Sequence, residues 1–190
     1  MTGVQTCALP IFHFSRLTTQ QVPFGPVDLN QLMAAILDDL SLSVAESGAV
    51  IDLGELPVVE GDASQLQQLF LNLISNALKF RAAGLAPQVR VSARTVRASA
   101  IPVAALMAPS ETNPDHLFHE ISVADKGIGF DEKYLDRIFQ VFQRLHGKAH
   151  YAGSGVGLAI CRKVALNHRG GLTAISQPGH GATFMVYLPA

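Results

Sequence analysis

Apolar residues recur with two different periods along the chain. Between residues 62 and 81, Leu66, Leu69, Phe70, Leu73, Ile74 and Ala77 fall at helical spacing and form a broad stripe. Asp62 and Gln65 before it read as a capping box. A second helix is predicted from Asp28 to about Ser47 on Leu29, Leu32, Met33, Ile36, Leu37 and Leu40, with Gly48 as its C-terminal cap. A third follows the glycines around residue 155, closed by Gly170 and Gly171, with His168 and Arg169 placed to complement its dipole. A short helix is expected near residues 131–142. Alternation with period two marks strands at 49–53, 88–96 and 118–125, and a closing hairpin turning at Pro178–Gly181. Helices and strands interleave, so the expected architecture is an α/β two-layer sandwich, a mixed sheet covered by helices on one face.

Composition narrows the class. With 48% apolar and 15% charged residues, the 190-residue chain suits a compact fold with a real core. A formal charge of −1 carries no basic footprint for nucleic acid, and no apolar run reaches membrane-spanning length. Residues 1–11 lack the regions of a signal peptide and match a translated sequencing adaptor, so they are read as a cloning or assembly scar. Cys161 is then the one native cysteine, a buried structural thiol, and a reducing cytoplasm is the expected location. Residues 12–22 read as the tail of a helix ended by Pro23 and Pro26. Residues 98–117, with Pro102, Pro109 and Pro114, read as a surface excursion, and His116 and His119 near its end as exposed histidines rather than a metal pair.

Three segments carry candidate chemistry. Asn72 and Asn76 lie one helical turn apart, with Lys79 and Phe80 following on the same side. Amide oxygens suit a cation, an ammonium suits phosphate, and a ring suits a base; buried structural amides are the equal alternative at this point. Asp125 ends a strand and is followed by Gly127 and Gly129, where a carboxylate could accept from an amine and glycines let a flat heterocycle approach the backbone. The same pattern also marks ordinary turns. Gly153, Gly155 and Gly157 precede a helix start, whose free N–H groups attract anions. The dinucleotide fingerprint is excluded because Leu158 occupies a required glycine position, and the Walker loop because Ala149 follows Gly147-Lys148.

Taken in order, with Gly179-His180-Gly181-Ala182-Thr183 at the end, these segments resemble the GHKL ATPase superfamily, and more narrowly the catalytic ATP-binding domain of bacterial sensor histidine kinases. The likeness spans residues 27–190 and includes an F box, Phe139 and Phe142, with an ATP lid after it. The resemblance implies a Bergerat-type ATP-binding fold with ATP and Mg²⁺ as ligands. By it, Asn76 would hold Mg²⁺, Asn72 would support the metal and phosphates, and Lys79 and Arg144 would contact phosphate. Phe80 would pack near the base and Asp125 would receive the adenine amine. Gly127 and Gly129 would wall the adenine pocket, Thr183 would lie near it, and Gly153, Gly155, Gly157 and Leu158 would supply phosphate contacts and the lid hinge.

The implied partners are a phosphoacceptor-histidine dimerisation domain and a response-regulator receiver domain, in a homodimeric parent. No acceptor-histidine motif occurs in this sequence; residues 12–26 resemble a remnant of the second dimerisation helix and linker. A truncated kinase that binds Mg-ATP without phosphorylating itself is therefore expected. Two alternatives stay open: another GHKL member, such as an anti-sigma kinase, or a non-catalytic nucleotide-binding module. Gyrase- and chaperone-type members carry a glutamate where Asn72 stands, which separates them from this pattern.

Overall fold

The computed structural model describes residues 23–106, 113–143, 145 and 154–190. The readings of residues 1–11 and 12–22, Arg144 and Gly153 lie outside the described residues.

The chain begins with β1 (Gly25–Asp28), then α1 (Leu29–Asp39), α2 (Ser41–Ser47), β2 (Val50–Leu53), β3 (Val58–Gly61) and α3 (Ala63–Lys79). It continues with β4 (Gln88–Arg97), β5 (Leu117–Asp125), α4 (Leu135–Ile138), α5 (Gly157–Asn167), β6 (Gly171–Ser176) and β7 (Ala182–Pro189). Five strands form one mixed sheet in the order β2-β4-β5-β7-β6, with β2 and β4 parallel and the other pairs antiparallel. α1, α3 and α5 cover one face, as the interleaved pattern predicts. The apolar stripe of α3 forms the centre of the core: Leu66, Leu69, Phe70 and Ile74 are fully buried. Each such side chain contributes on the order of 2 kcal/mol by leaving water.

Local chemistry sets the helix ends. Asp28 caps α1 by accepting from the Asn30 N–H at 2.8 Å, and Gly48 ends α2 with a left-handed φ of 63°. The expected single helix to Ser47 is two, because the backbone of Leu40 leaves the helical region. At α3, Asp62 accepts from the N–H groups of Ser64 and Gln65. Gln65 does not reach back to the cap's own N–H as a capping box would. It donates to the Asp62 carboxylate at 3.0 Å, and the Asp62 N–H goes to His168 Nε2 at 3.0 Å. His168 is therefore a buried neutral ring, and not a cation complementing the dipole of α5.

Two features lie beyond the expected pattern. β1 and β3 pair antiparallel as a small separate sheet. Pro26 fits there because a short edge strand can spare an N–H. The start of the 98–117 excursion is also more ordered than a surface loop. Ala98–Ala100 and Val103–Ala105 form 3-10 turns, and Leu106 bridges to Gly171. Ala98, Ile101 and Ala105 bury against Phe118, Met185 and Tyr187 on the sheet face opposite the helices. Among the described residues, no helix is long and apolar enough to cross a membrane.

Candidate functional site

The C-terminal half of α3 and the N-terminus of α5 meet over the ends of β5 and β7. Between them lies a cavity of about 270 Å³, several times the volume of a water molecule. Its polar wall is Asn72, Asn76 and Lys79, carried one turn apart by α3, with Phe80 at the helix cap. Its second wall is the start of α5, where Gly155, Gly157 and Leu158 present backbone beside Ser154. Its floor is Asp125, set among Ile128, Phe130, Ala182 and Phe184.

The antiparallel pairing of β5 with β7 brings Asp125 opposite Ala182. Oδ1 of Asp125 accepts from the Gly127 N–H at 2.8 Å and the Ala182 N–H at 3.3 Å. Oδ2 has no protein partner among the described residues. Burial pushes this carboxyl above its ordinary range, against the two N–H groups that stabilise its charge. A half-satisfied carboxylate in an apolar floor is built to receive a donor from a ligand.

The glycines have different duties. Gly129, with φ of 60°, lines the cavity, and a side chain there would strike the Gln177 carbonyl. Gly127 does not line it. Its missing side chain lets the Phe80 carbonyl close in, and that carbonyl also accepts from the Ile128 N–H at 2.9 Å. At the helix start, a Cβ on Gly157 would lie 3.2 Å from Asn72 Oδ1, so α5 packs directly on the first asparagine. The Nδ2 of Asn72 is the one buried side-chain polar atom without a partner among the described residues. An orphaned donor beside a helix N-terminus fits an anionic ligand.

A divalent ion also fits, within limits. Among the described residues, no group of three or more His, Cys, Asp or Glu side chains is placed to hold a metal ion. An ion here would rest on amide oxygen and on the ligand's own oxygens, the way Mg²⁺ accompanies phosphates.

Of the expected site residues, Asn72, Asn76, Lys79, Phe80, Asp125, Gly129, Gly155, Gly157 and Leu158 line this one cavity. Thr183 does not. β7 alternates, so Ala182, Phe184, Val186 and Leu188 join the main core while Met185 and Tyr187 join the cluster on the opposite face. Thr183 belongs to that opposite face, and its neighbour Ala182 holds the position at the cavity. Of the F box, Phe139 is buried and Phe142 is exposed, with a left-handed φ of 64° and its N–H donated to the Gly155 carbonyl at 2.9 Å. The two ends of the segment between them and α5 are thereby joined. Sequence reasoning missed the apolar floor, Ile128, Phe130, Ala182 and Phe184. The alternation of β7 could have found the last two.

Comparison with known proteins agrees with this geometry. Residues 61–190 match the family of histidine kinase-, DNA gyrase B- and HSP90-like ATPases. Cyanobacterial phytochrome A of Nostoc is 38% identical over 98% of this chain, which spans 22% of that protein. The adaptive-response sensory kinase SasA of Prochlorococcus marinus is 34% identical over 90% of this chain and 42% of its own length. Full-length ShkA in complex with AMPPNP superposes with a TM-score of 0.70 at 26% identity, over 95% of this chain and 35% of that one. The mycobacterial sensor histidine kinase MprB superposes with a TM-score of 0.66 at 25% identity, over 87% of this chain and 97% of that one. The chain thus spans about a fifth of the phytochrome relative and has the fold of sensor-kinase catalytic domains, and it belongs to the histidine kinase-, DNA gyrase B- and HSP90-like ATPase family.

Proposed function

We propose that this domain binds Mg-ATP and presents its γ-phosphoryl group to a histidine on a separate dimerisation domain of a sensor kinase. The observation that carries the reading is the pairing of two complementary ends in one cavity. Asp125 offers a carboxylate oxygen unpaired among the described residues in an apolar floor, and Asn72, Asn76 and Lys79 line the same cavity as a glycine-bearing helix start. In this reading Asp125 accepts from the adenine amine, with Gly129, Ile128 and Ala182 against the ring. Asn72, Lys79 and the backbone at Gly155, Gly157 and Leu158 hold phosphate oxygens. Asn76 would hold Mg²⁺ through its amide oxygen, the ion neutralising phosphate charge when bound. Arg144 and Gly153, outside the described residues, belong to the same proposed set.

The domain's part in the reaction is positioning and charge stabilisation. An imidazole nitrogen of the partner attacks the γ-phosphorus in line. The N–P bond forms as the bond to the β–γ bridging oxygen breaks, and ADP leaves with that electron pair. The phosphohistidine would then be discharged by a response-regulator receiver domain, with the whole exchange in the cytoplasm of a homodimeric parent.

Calorimetry with AMPPNP, with and without Mg²⁺, tests the assignment. The parent chain is expected to bind more tightly with Mg²⁺, and Asn76→Ala to lose that gain, about ten-fold in affinity, or about 1.4 kcal/mol. Equal Mg²⁺ dependence in both proteins would remove Asn76 from the metal. The strand alternation gives a second check in the same assay. Thr183→Val is expected to bind AMPPNP within about two-fold of the parent, whereas Ala182→Leu, projecting into the floor, weakens it by about ten-fold or more. The reverse ranking would put Thr183 back at the base.

A further inference from the structure

α3 and α5 form the two walls of the cavity, and a polar cluster fastens their far ends together. The Asp62 N–H donates to His168 Nε2 at 3.0 Å. Since Asp62 N–H can only donate, Nε2 must accept, and the ring proton sits on Nδ1, which donates to the Val164 carbonyl at 2.8 Å. Gln65 donates to Asp62 Oδ2 at 3.0 Å and accepts from Asn167 at 2.9 Å. Asp62, Gln65 and His168 are all buried. Phe24, arriving ahead of β1, stacks on the imidazole with centroids 4.6 Å apart. Gly61 has no room for a side chain there, because a Cβ would come within 2.8 Å of the same ring.

The contacts between the two helices run in antiparallel register. Asp62 meets His168, the Leu69 carbonyl meets the Cys161 thiol, and Asn72 meets Gly157. The first of these lies about 15 Å along the axis from the last. Sliding of α5 along α3 would therefore move the glycine backbone relative to Asn72. The cluster at Asp62 is the densest polar tie between the two helices and opposes such sliding, with the Cys161 thiol on the Leu69 carbonyl lying between it and the cavity.

We propose that His168 is a positioning residue for the nucleotide site, and that its protonation unlocks α5 from α3 and weakens nucleotide binding. This rests on the nucleotide reading of the cavity. A proton on Nε2 would point one donor at another, leaving the Asp62 N–H without an acceptor. Among the described titratable groups, the Asp62 carboxylate acts on the ring and favours the proton; Glu60 on β3 and Arg169 beside it are exposed. Burial outweighs Asp62 and holds the ring below its ordinary value of 6.5. The sign follows. A depressed folded-state value means the neutral lock is complete above 6.5 and is lost as pH falls through the folded value.

The test uses AMPPNP as the probe on the full chain. Between about pH 7.5 and pH 5, affinity of the parent should fall about five-fold more than that of His168→Gln, whose amide can accept from Asp62 and donate to Val164 without titrating. Titration of the nucleotide and of Asp125 is common to both proteins and cancels. His168→Leu, which has no acceptor, should bind more weakly at every pH. Identical pH profiles for the parent and His168→Gln overturn the proposal. Should the variants fail to fold, ¹⁵N NMR of the imidazole in the unaltered chain decides it. By reciprocity, saturating AMPPNP must lower the His168 titration midpoint by at least about 0.7 pH unit, the smallest shift that a five-fold change allows. Binding with an unmoved midpoint refutes the coupling alone; no binding at all removes the nucleotide reading and the coupling with it.

Discussion

Asp125→Asn is expected to weaken nucleotide binding about 100-fold, close to 3 kcal/mol, without weakening the fold. The amide oxygen of asparagine can still accept from the Gly127 and Ala182 N–H groups, which the Asp125 Oδ1 takes now. The atom replacing Oδ2 becomes an N–H donor, facing an adenine amine that is itself a donor. A charged acceptor is lost and a donor–donor mismatch is added inside an apolar floor, where each is costly.

Stability moves the other way. Burial raises the folded-state pKa of Asp125 above its ordinary 3.8, so the folded chain holds that proton more tightly than the unfolded one. The group's contribution is favourable below the unfolded value and is lost as pH rises through the folded value. At neutral pH the bare carboxylate is a net cost, and the substitution removes it. Thermal melts should place Asp125→Asn at or above the parent at pH 7, with the difference vanishing below about pH 4. Calorimetry with AMPPNP completes the pair; affinity within a few-fold of the parent would mean that Asp125 does not receive the base.

The second large effect is expected at Gly127, which does not line the cavity. A Cβ there would collide with the Phe80 carbonyl and lie 2.7 Å from Asp125 Oδ1. Gly127→Val must push the loop off the end of α3, breaking the Ile128 N–H bond to Phe80 and the Gly127 N–H bond to Asp125. We expect a loss of about 3 kcal/mol or more, a fall of roughly 10 °C in melting temperature for a chain of this size, and nucleotide binding lost with the floor. Gly84 is the control. Its φ of 76° favours glycine, but a Cβ there meets nothing within 4 Å, so Gly84→Ala should cost only about 1 kcal/mol. A loss at Gly127→Val no larger than that at Gly84→Ala would overturn the steric account of Gly127.

Much of the site was legible because its parts are local. The spacing of Asn72, Asn76 and Lys79 puts them on one side of a helix whatever the helix packs against. The glycines at 155 and 157 mark a helix start in the same way, and Asp125 ends a run whose alternation already reads as a strand. The cavity lining differs from the motif at two positions, where one residue changes the answer. Thr183 falls within the matched segment, but strand side chains alternate, and the register of β7 on β5 puts Ala182 at the cavity. Gly127 falls within a matched segment in the same way, while the space beside it is filled by the Phe80 carbonyl.

The remainder needed long-range contacts. Gln65 three residues after Asp62 is a sound local signal for a capping box, yet the cap's N–H was claimed by His168, 106 residues later. No local pattern could show that a histidine beside a C-terminal cap serves another helix's start. The floor of Ile128, Phe130 and Phe184 is likewise ordinary apolar sequence until the sheet and its loop close around Asp125. By itself the sequence determined the principal helices, the five strands of the main sheet and which polar groups each displays, because periodicity, capping and glycine freedom act within a few residues; the β1–β3 pair and the turns after β4 were not among them. Only the tertiary structure decided which of those groups share a cavity, which face of β7 meets it, and what locks α3 against α5. Those outcomes depend on strand register and helix packing between residues far apart in the chain.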